Sequence, residues 1–416
     1  MRLLPLLPAA PLALLGLAGP LPSLQAASDE SPSATATTTA HRSSLARLGR
    51  TIFRFDTFGD EQLWTGVLRM QQPIATLSPQ QALGVGLKVD LDALPAETVA
   101  ALKSGQVDLS DPAVTLALLR ADAVVGVKGR VSGAGTLTSV GITCALCHST
   151  VDDALAPGIG HRLDGWANTT LDVGAILALS PALDPGLKAE FATWGPGKYD
   201  PRHHYFDGTA LVLLNSPSLP IVIPPIYGLQ RVGFETVSAD GPISYWNAYV
   251  GVGQMGGHGS FRDPRIDVRI RQQPDLVTPK LLPLLAYQLS LRTPEPPAGS
   301  FDPAAAWRGR EVFRGAAGCA RCHQGPAFTD VLTGSPRHWP VLHDPSEVGT
   351  EAGYAARTAT KRYRTTPLRA LFQHAPYFHD GSAATLEAVI DHYDAQFGLK
   401  LSAAERADLA HYLRSL

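Results

Sequence analysis

Apolar positions recur with helical spacing in several short stretches of the chain, and each stretch is opened by a capping signal. Residues 58–68 carry apolar side chains at helical intervals, with acidic residues in the first turn. Ser78-Pro79 and Asp111-Pro112 each place a capping side chain before a proline, which is a common way for a helix to begin. The pattern therefore predicts a series of short helices in the first part of the chain.

A second set of helix signals follows a break in the pattern. The proline-rich run at residues 292–299 predicts a linker. Asp302-Pro303 then begins another predicted helix, and a serine–glutamate capping box at residues 402–405 begins the last one. We expect a first domain over residues 44–291, a linker over 292–300 and a C-terminal domain over 301–416.

The N-terminal residues have the pattern of an export signal. Arg2 precedes an apolar run at residues 3–17, and small residues follow near a cleavage point, so residues 1–27 predict a signal peptide. Prolines inside the apolar run argue against a retained membrane helix, and no other run has the length that a bilayer requires. Residues 28–43, rich in Ser, Thr and Ala, predict a flexible leader.

Composition adds two constraints to this picture. Lys and Arg number 35 against 37 Asp and Glu, so no charge excess favours nucleic acid or anionic lipid as a partner. The 39 glycines and 34 prolines, with few charged residues, are typical of helices joined by long structured loops. The loop-rich span at residues 194–261 either covers a site or supplies packing loops only.

Two cysteine motifs carry the chemistry. Residues 144–148 read Cys-Ala-Leu-Cys-His and residues 319–323 read Cys-Ala-Arg-Cys-His, the C-x-x-C-H pattern of covalent haem c attachment. Two thiols at this spacing can each join one vinyl group of a porphyrin, and the next imidazole can bind the iron as proximal ligand. The predicted attachment and ligand residues are Cys144, Cys147, His148, Cys319, Cys322 and His323.

The alternatives to two haems are a zinc site and a disulfide framework. A zinc site built from all four cysteines would join two segments far apart in the chain and leave both histidines unused. Haem c is attached outside the cytoplasm, which agrees with the export signal. We therefore predict a periplasmic protein with two haem c groups.

The C-terminal residues resemble a known family. Tyr-Arg-Thr-Thr-Pro-Leu-Arg at 363–369 and Ala-Pro-Tyr-Phe-His-Asp-Gly-Ser at 375–382 are similar to the C-terminal domain of di-haem cytochrome c peroxidases. They resemble equally the methylamine dehydrogenase maturation enzyme and the haem-dependent rubber oxygenases. The resemblance implies a mainly α fold with two cytochrome c-like helical domains, each with one covalent haem, joined by long structured loops.

The resemblance also implies a function. In the peroxidases the N-terminal haem reduces hydrogen peroxide, and the C-terminal haem accepts electrons from a small donor such as a cytochrome c or a cupredoxin. The peroxidases also hold a calcium ion between domains, for which no motif is present here, and no residue matches their catalytic glutamate. Two other functions stay open: an electron carrier with both irons closed, and an oxygenase or protein-oxidising enzyme.

One departure from the peroxidase pattern concerns the second haem. The peroxidases place a distal methionine just ahead of the stretch that matches residues 363–369, whereas residues 300–416 contain no methionine. The resemblance therefore leaves the sixth ligand to His379, which we prefer, or to Tyr363; either would lower the haem potential relative to methionine. The other histidines available are His338, His343, His374, His392 and His411.

The distal side of the first haem is open to more than one interpretation. Met70, Met255 or His258 could close it, although each also has an ordinary structural role in packing or in a turn. An open position would admit peroxide or dioxygen. Trp166 and Trp194 follow the first motif and are either electron relays between the haems or core residues.

Overall fold

The computed structural model describes residues 34–214, 216–332 and 341–416, with side chains from residue 43 onward. Internal contacts divide the chain into Met1–His41 and Arg42–Leu416. The second unit contains both cysteine motifs. The predicted signal peptide lies outside the described residues.

Helices dominate the described residues, and most are short because prolines and glycines interrupt them. The α-helices are α1 Ala34–Phe55, α2 Gln71–Ile74, α3 Pro79–Gly84, α4 Ala96–Lys103, α5 Pro112–Arg120, α6 Ala145–His148, α7 Val173–Ala178, α8 Pro185–Phe191, α9 Ile243–Tyr249, α10 Leu281–Ser290, α11 Pro303–Arg314, α12 Pro345–Val348, α13 Gly353–Ala356, α14 Leu386–Phe397 and α15 Ala403–Arg414. Segments Gln62–Val67 and Val250–Gln254 are π-helical, and Leu91–Ala93, Thr278–Lys280, Cys319–Arg321 and Leu371–Gln373 are 3₁₀ turns.

The capping signals in the sequence correctly located several of these helices. Ser78 and Ser402 each form a complete capping box, and Asp111 and Asp302 accept hydrogen bonds from the first backbone amides of α5 and α11. The helix predicted over residues 58–68 is present only as the π-helical segment. Helix α1 begins at Ala34, inside the stretch predicted as the leader.

Small β-sheets, which the sequence did not predict, connect the helices. Each sheet among the described residues has two strands, and all pairs except β1–β5 are antiparallel; the pairs are β1–β5, β2–β3, β4–β6, β7–β10, β8–β9, β11–β12 and β13–β14. The strands are β1 Val89–Asp90, β2 Val127–Val131, β3 Leu137–Ile142, β4 Ser149–Val151, β5 Ile159–Gly160, β6 Arg162–Asp164, β7 Lys198–Tyr199, β8 His204–Phe206, β9 Leu211–Leu213, β10 Ile221–Val222, β11 Ser260–Asp263, β12 Val268–Arg271, β13 Leu342–His343 and β14 Tyr363–Arg364. The fold is therefore helix-rich with small sheets in its loops.

The buried apolar side chains form two main clusters. The first extends from Ile52 to Tyr287 and surrounds the first cysteine motif, while the second extends from Phe313 to Leu413 and surrounds the second motif. Helices α11 and α15 cross inside the second cluster. Among the described residues, none of the helices combines the length and the apolarity needed to cross a bilayer.

Candidate haem sites

The first motif follows β3 and occupies α6, with Cys144 at the position before its first residue. Gly126 packs directly beneath this helix at a positive φ of 77°, and a Cβ there would lie 2.1 Å from the backbone nitrogen of Leu146. A side chain at this position would collide with the backbone, so glycine is required for the close approach. The approach fixes where α6 holds its cysteines and histidine.

His148 is oriented by a main-chain acceptor. Its Nδ1 atom lies 3.0 Å from the carbonyl oxygen of Pro224. A carbonyl can only accept, so Nδ1 carries the proton and the lone pair is on Nε2, the arrangement found in metal-binding histidines. Burial lowers the pKa of His148 to about 4, against the opposing effect of the Pro224 bond, which keeps the ring neutral.

The second motif repeats this arrangement. His323 lies in the turn that follows α11, and its Nδ1 atom is 3.0 Å from the carbonyl oxygen of Phe328. Burial again lowers the pKa of the imidazole. Two histidines in unrelated surroundings therefore each hold Nδ1 against a backbone carbonyl.

The cysteines are free thiols, and they belong to different clusters, which disfavours a single site built from all four. Cys144, Cys147 and His148 are half-buried, and burial raises the pKa of both thiols to about 12. Paired free thiols followed directly by a histidine form the donor set of haem c. Both motifs fit that group.

The two candidates for the distal ligand of the second haem contact each other. The His379 Nε2 atom lies 3.1 Å from the Tyr363 hydroxyl and 3.5 Å from a carboxylate oxygen of Glu351. Their rings are 4.7 Å apart between centroids, and Tyr354 packs on the same imidazole at 5.9 Å. Burial lowers the pKa of His379.

The remaining histidines of the C-terminal region have other partners. The Nδ1 and Nε2 atoms of His343 lie 3.0 Å from Glu347 and Thr365 respectively, and His392 lies 2.9 Å from the carbonyl of Val348. His374 contacts the hydroxyl of Tyr227 at 3.1 Å, and His411 accepts from the amide of Asp302. His338 lies outside the described residues.

The residues considered for the distal side of the first haem lie in packing positions. Met70 and Met255 are buried in the first apolar cluster, and His258 contacts the carbonyl of Pro274 at 2.7 Å. Trp166 contacts Phe372 of the C-terminal region at 6.1 Å and Tyr227 at 6.4 Å between centroids. Trp194 instead belongs to an aromatic group around His203 and His204.

A polar group beside the first motif was missed by the sequence analysis. The Tyr199 hydroxyl donates to Gln254 at 2.5 Å and lies 3.4 Å from Nε2 of His204. Burial raises the pKa of Tyr199 well above its usual range. Tyr199 lies on β7, which pairs with β10, and the chain runs from β10 to the Pro224 carbonyl that contacts His148. The one feature of the sequence that could have indicated this group is the pair of adjacent histidines, His203 and His204, in the loop-rich span.

Comparison with known proteins yields partial matches. No family model matches the chain. The methylamine utilization protein MauG of Methylorubrum extorquens is 35% identical over 130 residues, which is 26% of this chain and 33% of that protein. The cytochrome-c peroxidase IdrP2 of a Pseudomonas species is 32% identical over 143 residues, 27% of this chain and 39% of that protein. These names confirm the resemblance to di-haem cytochrome c peroxidases, although the matches span less than half the length of either relative.

Solved structures give weaker likenesses. A MauG-like protein associated with microbial copper homeostasis matches 47% of this chain and 73% of its own, at 21% identity and a TM-score of 0.35. The hydrazine synthase of Kuenenia stuttgartiensis matches 47% of this chain and 72% of its own, at 20% identity and a TM-score of 0.29. At these scores the likenesses support no argument about this chain.

Proposed function

We propose that this chain is an exported, periplasmic di-haem c-type cytochrome that acts as an oxidoreductase of the peroxidase type. The observation that carries the proposal is the matched support of His148 and His323, each directly after a Cys-x-x-Cys pair and each with Nδ1 on a backbone carbonyl. When bound, haem iron supplies a redox centre that can accept peroxide as a ligand. The partial matches to MauG and to cytochrome-c peroxidases support the same class.

The two regions of the chain have different roles in the proposal. His148 and the thiols of residues 144 and 147 would hold one haem, whose iron would supply the site for peroxide. His323 and the thiols of residues 319 and 322 would hold the other, which would receive electrons from a small redox protein. Trp166, in contact with Phe372 of the C-terminal region, couples the two regions.

One observation favours an enzyme over an electron carrier. A carrier whose irons are both closed has no use for buried titratable groups beside its haem. Tyr199, His204 and Gln254 form a hydrogen-bonded cluster, and the β7–β10 pair that carries Tyr199 leads to the Pro224 carbonyl at His148. Reduction of peroxide needs such groups because it consumes protons.

The first experiment counts haems after maturation in a cytochrome c-competent periplasm. We expect the intact mass of the mature chain plus two haems for the wild type. Cys144→Ala/Cys147→Ala and Cys319→Ala/Cys322→Ala should each retain one, since each pair forms its own thioethers. A wild type with one haem or none would overturn the assignment.

The second experiment tests reactivity with hydrogen peroxide. Stopped-flow mixing with fully ferric and with half-reduced protein should give rapid spectral change, and turnover should require an electron donor. Cys144→Ala/Cys147→Ala should abolish the reaction with peroxide. Cys319→Ala/Cys322→Ala should abolish only the delivery of electrons from the donor. If the wild type is inert to peroxide in both states and its reduced form ignores carbon monoxide, the chain is an electron carrier.

A further inference from the structure

Four titratable side chains form a continuous line from the protein surface to the first motif. Glu190 Oε1 lies 3.1 Å from Nε2 of His203, and Nδ1 of His203 lies 3.3 Å from Nδ1 of His204. Nε2 of His204 lies 3.4 Å from the hydroxyl of Tyr199, which donates to Gln254 at 2.5 Å. Each distance permits a hydrogen bond, and the bonds from His203 to His204 and from His204 to Tyr199 are long.

The two ends of the line differ in their access to water. The Glu190 side chain, on α8, is 40% exposed, whereas that of His203 is 3% exposed. Tyr199, at the other end, is half-buried and lies on β7, which pairs with β10, and the chain runs from β10 to the Pro224 carbonyl that contacts His148. The line therefore begins in solvent and ends on the strand pair that leads to His148.

Aromatic side chains enclose the middle of the line. Phe191 packs edge-on against both imidazoles, at 5.5 Å from His203 and 5.4 Å from His204. Trp194 stacks on His204 at 6.1 Å with an interplanar angle of 12°. These aromatic rings cover both imidazoles. A proton that passes through this region must therefore be carried by the imidazole nitrogens.

The chemistry of each member suits transfer. A neutral imidazole accepts on one nitrogen and donates from the other. With protons on Nδ1 of His203 and on Nε2 of His204, each link donates inward, so a proton delivered by Glu190 to Nε2 of His203 displaces one toward Tyr199. Burial and the neighbouring His203 lower the pKa of His204 to about 3, so its ring stays neutral and does not trap the proton.

We propose that Glu190, His203, His204 and Tyr199 form a proton-conducting chain that connects solvent with the first haem site. The proposal rests on the proposed function, because each hydrogen peroxide reduced to two waters takes up two electrons, supplied by the donor protein, and two protons. The chain supplies those protons: the Tyr199 hydroxyl, whose hydrogen rests on Gln254, turns toward the site to pass each one on, and Glu190 takes up its replacement from solvent.

The test uses the holoprotein and three variants. Glu190→Gln and His203→Asn interrupt the chain at its outer end, and His161→Asn is the control because that exposed histidine pairs with Asp92 away from it. Haem content and thermal stability should match the wild type in Glu190→Gln, which keeps the size of the side chain. The peroxide reaction should slow about 100-fold in the outer-end variants, with a larger solvent deuterium isotope effect, since positioned proton transfer contributes on that order.

Two further readouts separate a proton path from a structural role. Small acids such as formate should rescue Glu190→Gln by delivering protons to His203, which would not repair a packing defect. NMR on protein with labelled histidine measures how fast the His204 ring proton exchanges with D2O. This exchange should be slower in Glu190→Gln than in the wild type, whether or not the wild type reacts with peroxide. Unchanged rates, isotope effect and ring exchange in both outer-end variants would overturn the proton chain and leave the proposed function untouched.

Discussion

His379 and Tyr363, the two candidates for the sixth ligand of the second haem, share one hydrogen bond. The hydroxyl of Tyr363 also donates to the carbonyl of Glu351 at 2.6 Å, and burial raises the pKa of this phenol above its usual range. A phenol that keeps its proton is a poor ligand for iron. The imidazole of His379 needs no such deprotonation, and we therefore place it ahead of Tyr363.

The first prediction follows from that comparison. His379→Ala should convert the second ferric haem from low to high spin, whereas Tyr363→Phe should leave it low spin. Ferric absorption and electron paramagnetic resonance spectra measure the change, and His411→Ala, at an imidazole that binds the Asp302 amide, is the control. The opposite pattern, with only Tyr363→Phe changing the spin state, would assign the ligand to tyrosine.

Sequence and structure differ in what each shows at this scale. Spacing alone singled out His148 and His323, because thioether attachment fixes the positions of its residues along the chain. Tyr199 and Gln254 are brought together by the pairing of loops far apart in sequence, and no local spacing reports such a contact. The carbonyls of Pro224 and Phe328 were equally invisible, since any residue could have supplied them.

At the scale of elements, α11 and α15 cross where Gly309 meets Asp408. A Cβ on Gly309 would lie 2.0 Å from the Asp408 carbonyl oxygen, so the helices approach as closely as their backbones allow. α11 leads into the second cysteine motif, and the crossing therefore fixes where that motif begins. The close approach is possible because glycine carries no side chain.

Gly309→Ala should accordingly destabilise the C-terminal cluster, by about 1–3 kcal/mol or more, because the helices must separate to admit the methyl group. Gly84 lies at the end of α3 with open space around it, so Gly84→Ala should not lower the free energy of unfolding. It is a matched control for Gly309→Ala because both changes add one methyl group. Urea unfolding followed by circular dichroism gives both values. Equal stabilities for the two variants would contradict the close crossing.

Helices were predicted better than strands for a physical reason. A capping residue followed by proline is a local signal, and it was correct at α3, α5 and α11. Strands such as β1, β7 and β10 have two residues each and owe their conformation to a partner distant in sequence. A two-residue strand is too short to show the alternating pattern by which strands are recognised.

At the scale of the whole molecule, buried ion pairs join the loop-rich span at residues 194–261 to the C-terminal region. Two nitrogens of Arg357 lie 3.1 Å from one oxygen of Asp200, whose side chain is 0% exposed. Arg364 pairs with Glu235 through one nitrogen, Nη2, at 3.1 Å. The span was expected either to cover a site or to provide packing; these contacts show that it packs against the C-terminal region, and its Pro224 carbonyl also contacts His148.

Removing one member of such a pair should be costly. Arg357→Met leaves the Asp200 carboxylate buried without its cation, and we expect a loss of about 3–5 kcal/mol in the free energy of unfolding. Arg308→Met, which removes an exposed partner of Asp408, should change stability little. Urea midpoints of both variants measure the contrast, and similar small effects would mean that water reaches Asp200.

The acceptors that orient His148 and His323 are main-chain carbonyls, and every amino acid brings a carbonyl. A substitution at Pro224 or Phe328 changes the side chain and leaves the acceptor in place as long as the backbone keeps its path. Substitutions at these two positions therefore leave the hydrogen bonds to the imidazoles intact. If a side-chain carboxylate were the acceptor, a single substitution could remove it. The orientation of both imidazoles therefore depends on the path of the backbone and not on the identity of any one side chain.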